Sequence, residues 1–456
     1  MADPQLSGVA ANSPSLRQLL AKARQSPLFR QILTAVSGTA FAQAINLAMI
    51  PIVMRIYGPE AFGVLGTFSS ISMVLIPVAA LTWPMAIALP RRVSDAKALV
   101  RLSLRVALAI AVALGVVLFF WGSALADLTG FAILTPYLML LPLAMFSGAV
   151  LEITQQWLYR EQRFRLTAGG ATVHALCYNS MRSLAGLVSA SAPVLVITTA
   201  LYHAMYASVL LGAMGLSKGK AANASEAAPQ VEETELDDGK SLIKRYSDFP
   251  LFRAPQVLIN ALGYNMPTLV LAASFGAVPA GFFALCAQVL SMPTNLMGKS
   301  VGDVYYPRVI KAIHAGERLL PLLAKGVAGL GLIGLVPFGA LMLFGPQMFV
   351  IAFGAPWEQA GEFARWLALA EFIGFTARPC TVAIPALNLQ GRYLAVEIAS
   401  TALRIAAALA GAAMYQNPVA VVIAYGAANS MISLFVIAMV LQEARRLDRS
   451  RCRDGQ

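Results

Sequence analysis

Apolar stretches of about twenty residues alternate with short polar connections along the whole chain. As an α-helix, a stretch of that length crosses the ~30 Å hydrocarbon core of a bilayer. The pattern predicts an all-α polytopic membrane protein with about twelve transmembrane helices. The predicted helices span residues 31–54, 61–89, 99–122, 132–158, 167–190, 192–216, 251–274, 279–304, 320–345, 363–387, 393–414 and 417–441.

The composition excludes an ordinary water-soluble protein. Hydrophobic residues fill 58% of the 456 positions, charged residues only 12%, and the mean hydropathy is +0.69. A soluble fold could not bury that much apolar surface. The net charge of +12 does not indicate nucleic-acid binding, because Lys and Arg gather beside the ends of the apolar stretches, as orientation signals do.

Connections rich in Lys and Arg alternate with connections that are almost free of them. By the positive-inside rule the basic set is cytoplasmic, which predicts cytoplasmic tails at 1–30 and, strongly basic, at 442–456. The first apolar stretch is too long for a signal peptide, so it is expected to remain as helix 1. The basic connections hold Arg91, Arg92 and Lys97; Arg160, Arg163 and Arg165; Lys218 to Arg245; Arg308, Lys311 and Arg318; Arg392; and Arg445 to Arg453.

One connection differs from the rest. Residues 217–250 are rich in Ala, Glu and Lys and poor in large apolar residues, which predicts a largely disordered cytoplasmic linker. It divides the membrane domain into an N-lobe at 31–216 and a C-lobe at 251–441, with six helices each.

A weak internal repeat supports this division. Gly58 and Gly63, which follow helix 1, correspond to Gly276 and Gly281, which follow helix 7. Because six is an even number, both lobes have the same membrane orientation. The lobes are therefore expected to be parallel repeats about an axis normal to the membrane, with a substrate path between them.

Several stretches together resemble the polysaccharide flippase branch of the multidrug/oligosaccharidyl-lipid/polysaccharide (MOP) exporter superfamily. The resemblance covers about residues 30–440, and it depends on the order and spacing of the stretches, since each alone is loose. The stretches are Gly38–Gln43 and Pro51–Gly63 in and after helix 1, Gln156–Arg165 after helix 4, and Pro293–Gly298 and Tyr305–Arg308 in and after helix 8.

The resemblance implies a transporter and not an enzyme, with two six-helix lobes around a cationic cavity that opens alternately to each side. The implied substrate is an oligosaccharide unit on an undecaprenyl-diphosphate type of lipid carrier. It would move from the cytoplasmic to the periplasmic leaflet of the bacterial inner membrane for O-antigen, lipopolysaccharide or exopolysaccharide assembly. Membrane lipids, a polysaccharide polymerase and chain-length machinery are the implied partners; no cofactor is implied, and coupling to H⁺ or another ion gradient stays open.

Three other function classes can be compared with this one. A multidrug or cation antiporter of the same superfamily shares the architecture, but the intramembrane arginines suit an anionic substrate better than a cationic drug. A polysaccharide polymerase or ligase is expected to carry catalytic residues on a long outer loop, and the predicted outer connections are short. A membrane scaffold would not need so many buried charges.

Ionisable side chains inside apolar helices are costly, so each is a functional candidate. Glu371 and Arg378 in helix 10 are seven residues apart, as are Glu397 and Arg404 in helix 11, so each pair shares a helix face. Antiparallel packing would set Arg404 beside Glu371, and Arg378 nearer Glu397. These groups either line the cavity and bind substrate, or form a static charge lattice between two helices.

Other cations are candidates for substrate binding. Arg182, in the outer part of helix 5, would either face the cavity or extend to the membrane surface. Arg55 and Arg253, at helix ends, would meet phosphate or anchor the helices at the interface. Lys299 and Asp303 are four residues apart in helix 8, which favours an intrahelical pair.

The remaining candidates are a carboxylate and a set of polar or helix-loosening residues. Glu152, beside glutamines in helix 4, is a candidate for a proton-coupled step. The polar or hinge candidates either bind sugar hydroxyls and let their helices bend, or only form hydrogen bonds to neighbouring helices. They are Asn46, Pro51, Asn260, Tyr264, Asn265 and Pro267.

Nucleotide and metal chemistry is not indicated. Gly298-Lys299-Ser300 echoes the end of a P-loop, but Pro293 stands where that motif requires its first glycine. The three histidines are far apart in sequence, and the four cysteines are scattered, so neither a metal site nor a disulfide is expected.

Overall fold

The computed structural model of the protein describes residues 27–221 and 239–454. Inside these ranges it does not describe the side chains of 27–37, 39, 217–221, 239–241, 293, 295–300, 302–304 and 451–454. The long helices of the described residues are α1 Pro27–Ile56, α2 Pro59–Leu75, α3 Val93–Thr129, α4 Leu140–Arg160, α5 Phe164–Val188, α6 made of Ala192–Ala200 and Tyr202–Ala221, α7 Ala254–Phe275, α8 Ala277–His314, α9 Leu319–Phe353, α10 made of Glu358–Thr376 and Arg378–Ala383, α11 Gln390–Tyr415 and α12 Pro418–Asp454.

Each predicted membrane span overlaps one of these helices, and the described residues contain no strand. The expected all-α polytopic fold is therefore confirmed. Seven of the described helical stretches are long and apolar enough to cross a membrane by length and composition. Helices α4, α5 and α10 are not among them, and these carry Glu152, Arg182 and Glu371 in their interiors.

The span predicted at 61–89 is wrong in its second half: α2 ends at Leu75, and short 3-10 turns follow, between which Leu81 and Thr82 have positive φ. Pro77 and Pro84 in this segment lack the backbone N–H groups that a continuous helix needs.

The two halves repeat the same packing. α1 packs on α5, α3 on α4, and α4 on α6 in the first half. α7 packs on α11, α9 on α10, and α10 on α12 in the second. Because each pair recurs six helices later in the same chain order, the lobes are parallel repeats, as the glycine spacing predicted.

The lobes meet mainly through α2 of the first half, which packs against α7 and α8 of the second. The contact is close enough to exclude side chains. A Cβ atom on Gly63 would lie 1.7 Å from the carbonyl oxygen of Ala277, and one on Gly281 would lie 2.5 Å from that of Pro59. The two glycines of the repeat therefore allow backbone-to-backbone contact between the lobes.

The basic connections lie at one end of the bundle, and we call the opposite end the outer side. There the lobes are joined by a group of residues that we call the outer seal: Met54, Phe62, Phe282 and Trp357. The indole Nε1 of Trp357 donates to the carbonyl of Met54 at 3.0 Å. Phe62 and Phe282 meet the Trp357 ring edge-on at 5.7 and 6.1 Å.

The connection between the lobes differs from the expected disorder at its second end. Residues 222–238 and the tail at 1–26 lie outside the described residues, but Gly239–Arg245 form a short helix. Leu242 and Tyr246, four residues apart on one face, are buried against Trp83 and the inner ends of α3 and α4. Large apolar residues concentrate at this end of the linker, and their burial gives it a fixed structure.

Candidate functional site

The charged residues of α10 and α11 come together inside the C-lobe. α10 breaks after Thr376, and Arg378 begins its second part with Pro379 at the next position, where a proline is tolerated. Arg378 and Arg404 both interact electrostatically with Glu371. We call Glu371, Arg378 and Arg404 the C-lobe charge cluster.

The arginines of this cluster have no direct ionic partner in the part of the chain that the structure describes. The described ion pairs all join other residues, near the ends of the bundle. The Nε atom of Arg404 is shielded from solvent and has no hydrogen-bond partner among the described residues. The cross-helix ion pairs expected from helical spacing are therefore not formed, and the cations keep donors available for an anion.

Glu397 makes a different contact from the expected one. Its carboxylate accepts a hydrogen bond from the Asn260 side-chain amide, which links α11 to α7 and not to Arg378. Gly263, one turn along α7, lets Thr401 of α11 approach: a Cβ there would lie 2.8 Å from Thr401 Cγ2. The close packing of α7 on α11 thus decides the partner of Glu397.

The N-lobe has a matching contact between its own first and fifth helices. Asn179 Nδ2 of α5 donates to Asn46 Oδ1 of α1 at 2.7 Å and to the carbonyl of Ala175 at 2.8 Å. Sequence reasoning selected Asn46 and missed Asn179. The available signal was a second amide within an apolar helix, one turn before Arg182.

Arg182 points into the bundle and not towards the membrane surface. Its guanidinium lies over the Phe62 ring, 5.6 Å from the centroid. Its Nε and Nη2 atoms are shielded from solvent and have no hydrogen-bond partner among the described residues. Tyr57 donates to the backbone carbonyl of Arg182 at 2.9 Å, which ties α5 to the outer end of α1.

The other predicted cations lie apart from this group. Arg55 is exposed and donates to the carbonyl of Ile351 at 2.8 Å, joining the lobes at the outer side. Arg253 is exposed and donates to the side chain of Gln256 at 2.9 Å. The side chains of Lys299 and Asp303 lie outside the described residues.

The carboxylate and hinge candidates have distinct environments. Glu152 is half-buried on α4. Tyr264 is 50% exposed, although its hydroxyl neighbours Glu371 of α10 and Ser291 of α8, so it faces space inside the lobe.

The remaining hinge candidates lie inside regular helix. Asn265 is buried and donates to the Ala261 carbonyl of its own helix at 2.8 Å. Pro51 and Pro267 lie inside α1 and α7, which remain helical around them.

Two histidines that are distant in sequence share one aromatic cluster in the N-lobe. His174 of α5 packs on Tyr202 and Tyr206 of α6 with ring centroids 4.4 and 4.6 Å apart, and His203 adjoins Tyr202 at 5.1 Å. The described residues contain no group of three or more His, Cys, Asp or Glu that could hold a metal ion. The cluster was not anticipated, because it depends on how α5 packs against α6.

The sequence matches a known protein family over more than half of its length. The profile of a family described as polysaccharide biosynthesis protein matches residues 52–362. No curated protein matches the sequence.

Solved structures share the fold at low sequence identity. An inward-facing multidrug resistance MATE transporter of the MOP superfamily aligns with a TM-score of 0.67 and 15% identity, covering 91% of this chain and 99% of the other. The lipid II flippase MurJ, in an inward closed conformation, aligns with a TM-score of 0.69 and 10% identity, covering 92% and 91%. A MOP superfamily transporter from Pyrococcus furiosus aligns with a TM-score of 0.57 and 14% identity, covering 93% and 97%.

Proposed function

Because the chain belongs to the polysaccharide biosynthesis protein family and has the fold of MOP-superfamily transporters, we propose that it flips polyprenyl-diphosphate-linked oligosaccharides across a membrane. The transporter class itself follows from the family and the fold. The proposal concerns the cargo, an undecaprenyl-diphosphate type of lipid that carries a short sugar unit for O-antigen or exopolysaccharide assembly.

The observation that carries the proposal is the pair of arginines without direct ionic partners in the C-lobe charge cluster. A diphosphate that leaves water for a membrane interior needs charge-assisted hydrogen bonds to replace its hydration. Guanidinium groups suit phosphate oxygens because their donors form a planar fork. Glu371 lowers the net positive charge of the cluster and, because it does not pair directly with either arginine, leaves their donors for a diphosphate.

The sugar part of the cargo needs hydroxyl and amide partners near the cluster. Tyr264 is half exposed beside Glu371, whereas Tyr425 of α12, which neighbours both Glu371 and Arg404, is buried in the core. The Tyr264 side chain offers a phenol and an aromatic face, which suit hydroxyl-rich ligands. Asn260 and Glu397 are less available, because they bond each other.

The closed outer seal supports loading from the opposite side, where the basic connections lie. We propose that this side is the cytoplasm, that both termini lie there, and that the membrane is the bacterial inner membrane. The cargo would then be delivered to the periplasmic leaflet, for use by a polysaccharide polymerase and its chain-length machinery. Glu152 and Glu371 are the candidate carboxylates for coupling to an ion gradient.

The test is lipid exchange in proteoliposomes. The probe is a polyprenyl diphosphate carrying a fluorescent N-acetylhexosamine disaccharide, whose outer-leaflet fraction is quenched by dithionite. We expect wild-type protein to raise the quenchable fraction, Arg378→Ala and Arg404→Ala to abolish the effect, and Arg105→Ala, which removes an exposed cation of α3, to leave it unchanged. Exchange by the double Ala variant at the wild-type rate would refute the cation proposal.

A multidrug antiporter is the second candidate, because a multidrug resistance transporter shares the fold. Cationic drugs fit poorly beside two arginines without direct ionic partners. Ethidium efflux by the wild-type protein, together with no exchange of the lipid probe, would favour this candidate. A polymerase or ligase remains disfavoured, because the outer connections, all within described residues, are short.

A further inference from the structure

Arg182, a half-buried cation, lies next to the outer seal, in the lobe opposite to the charge cluster. Phe62 connects the two features, since one ring contacts both the Arg182 guanidinium and the Trp357 indole, at 5.6 and 5.7 Å. Trp357 is 1% exposed and holds the Met54 carbonyl at 3.0 Å. In the sealed state Phe62 therefore covers the arginine while it packs against the residue that closes the outer side.

Arg182 makes one cation–π contact, while two of its donor atoms have no hydrogen-bond partner among the described residues. The contact with the ring is a cation–π interaction, which stabilises a guanidinium by roughly 0.5–2 kcal/mol. It leaves Nε and Nη2 without acceptors among the described residues, and a buried donor without an acceptor is costly. An anion that reached Arg182 would supply those acceptors, but it would have to displace the Phe62 ring.

We propose that Arg182 is an exit-side binding site for the diphosphate of the cargo, and that its occupation opens the outer seal by displacing Phe62 from Trp357. This inference rests on the proposed function. The diphosphate would pass from Arg378 and Arg404 in the C-lobe to Arg182 in the N-lobe as the lobes move.

Binding of the diphosphate would shift the equilibrium between the closed and the open outer seal. A ligand shifts a conformational equilibrium only by the difference in its affinity for the two states. Arg182 provides that difference for a diphosphate, because its donors are covered by Phe62 when the seal is closed and free when the seal is open. Without the arginine, a diphosphate would bind both states alike and leave the seal closed.

The experiment measures seal opening directly. Ala280, which is fully buried in the cluster that contains the seal, becomes the reporter Ala280→Cys, in a background with the exposed Cys177 replaced by Ser. A membrane-impermeant maleimide is applied from the outer side of reconstituted protein. Farnesyl diphosphate is the anionic lipid probe, and farnesol is the uncharged control.

We expect farnesyl diphosphate to raise the labelling rate several-fold in the wild-type background, and farnesol to have no effect. Arg182→Gln should remove the response, and Arg182→Lys should retain part of it, since a lysine is charged but lacks the fork of donors. Arg105→Gln, a cation of α3 outside this contact, should respond as the wild type does. Since Arg182→Lys keeps the charge, it gives a second test if Arg182→Gln accumulates poorly.

An equal response of Arg182→Gln and wild type would overturn the inference, and so would no response in the wild type. Either outcome is separable from failure of the proposed function, because oligosaccharide exchange is scored in the same liposomes with the fluorescent probe. Exchange that persists without a diphosphate-dependent change in labelling refutes the role of Arg182 alone. Absence of exchange in the wild type refutes the proposed function.

Discussion

Gly63 and Gly281 face each other at equivalent positions of the two lobes, and each leaves room only for bare backbone. A Cβ on Gly281 would lie 2.7 Å from the Gly63 nitrogen, and a Cβ on Gly63 would overlap the Ala277 carbonyl. The contact joins α2 to α8 on the outer side of the bundle. It makes the sealed state depend on the absence of two methyl groups.

Gly63→Ala should therefore disfavour the sealed state. The added methyl cannot be accommodated by a side-chain movement, because the obstructing atoms belong to backbone, and overpacking of this kind costs about 1–3 kcal/mol or more. We expect a lower melting temperature in detergent and faster labelling of the Ala280→Cys reporter. Gly212→Ala is the control, since nothing lies within 4 Å of its Cβ. Unchanged labelling in Gly63→Ala would contradict the role of this contact.

Trp357→Phe should weaken the outer seal, although an aromatic ring remains at position 357. The substitution loses the hydrogen bond from the indole nitrogen to the Met54 carbonyl, a contribution of about 1 kcal/mol. Labelling of the Ala280→Cys reporter should rise roughly fivefold in the absence of any lipid probe. Trp366→Phe, on α10, which begins directly after Trp357, removes an indole that is bonded to Glu362 and should leave labelling as it is. Equal rates in both variants would show that the bond does not hold the seal.

Asn260 and Glu397 should show energetic coupling in a double-mutant cycle. Asn260→Ala removes the amide donor from a solvent-accessible carboxylate, so it should destabilise the C-lobe by about 0.5–1.5 kcal/mol. Replacing both residues by Ala should cost less than the sum of the two single changes. The Asn46 and Asn179 pair serves as a neutral reference in the N-lobe. Additive effects in the unfolding free energies would indicate that Asn260 and Glu397 do not interact.

Arg160 should act as a structural residue, although it lies in one of the stretches that carry the family resemblance. Its guanidinium donates to the backbone carbonyls of Ile87, Pro90, Arg91 and Arg92, which fold the connection between α2 and α3. Arg160→Ala should lower thermal stability, since hydrogen bonds from a charged group contribute about 1.5–3 kcal/mol.

Two measurements distinguish this structural role from a functional one. Arg165→Ala, at an exposed position of the same stretch, should leave the melting temperature unchanged. The Arg160→Ala protein that remains folded should exchange the fluorescent lipid at the normal rate. Loss of exchange without loss of stability would instead place Arg160 on the substrate path.

Much of the architecture could be predicted from local patterns in the sequence. The twelve predicted intervals each overlap a helix, because in a bilayer each span must satisfy its own backbone hydrogen bonds, although the interval 61–89 extends well past the end of α2 at Leu75. The parallel repeat was visible in the spacing of Gly58, Gly63, Gly276 and Gly281. Even there the pattern was incomplete: Gly276 has φ +84° and Gly58 has φ −73°, so corresponding glycines have different backbone conformations.

Residue contacts within the candidate site were less predictable. Helical spacing placed Glu371, Arg378, Glu397 and Arg404 on shared faces, and the structure brings Glu371 close to both arginines. Spacing did not predict that Glu397 would bond Asn260, because that partner comes from α7 and depends on the closeness that Gly263 permits.

The sequence by itself therefore determined that the chain is a multi-pass helical membrane protein, which of its connections are rich in Lys and Arg, and that it is built as two similar halves. Those features depend on the transfer of each segment from water to lipid, which is a property of the segment. Only the tertiary structure decided that Phe62 covers Arg182, that Trp357 joins the lobes through Met54, and that Leu242 and Tyr246 anchor the linker. Those contacts join residues distant in the chain, and their energies exist only once the helices have packed.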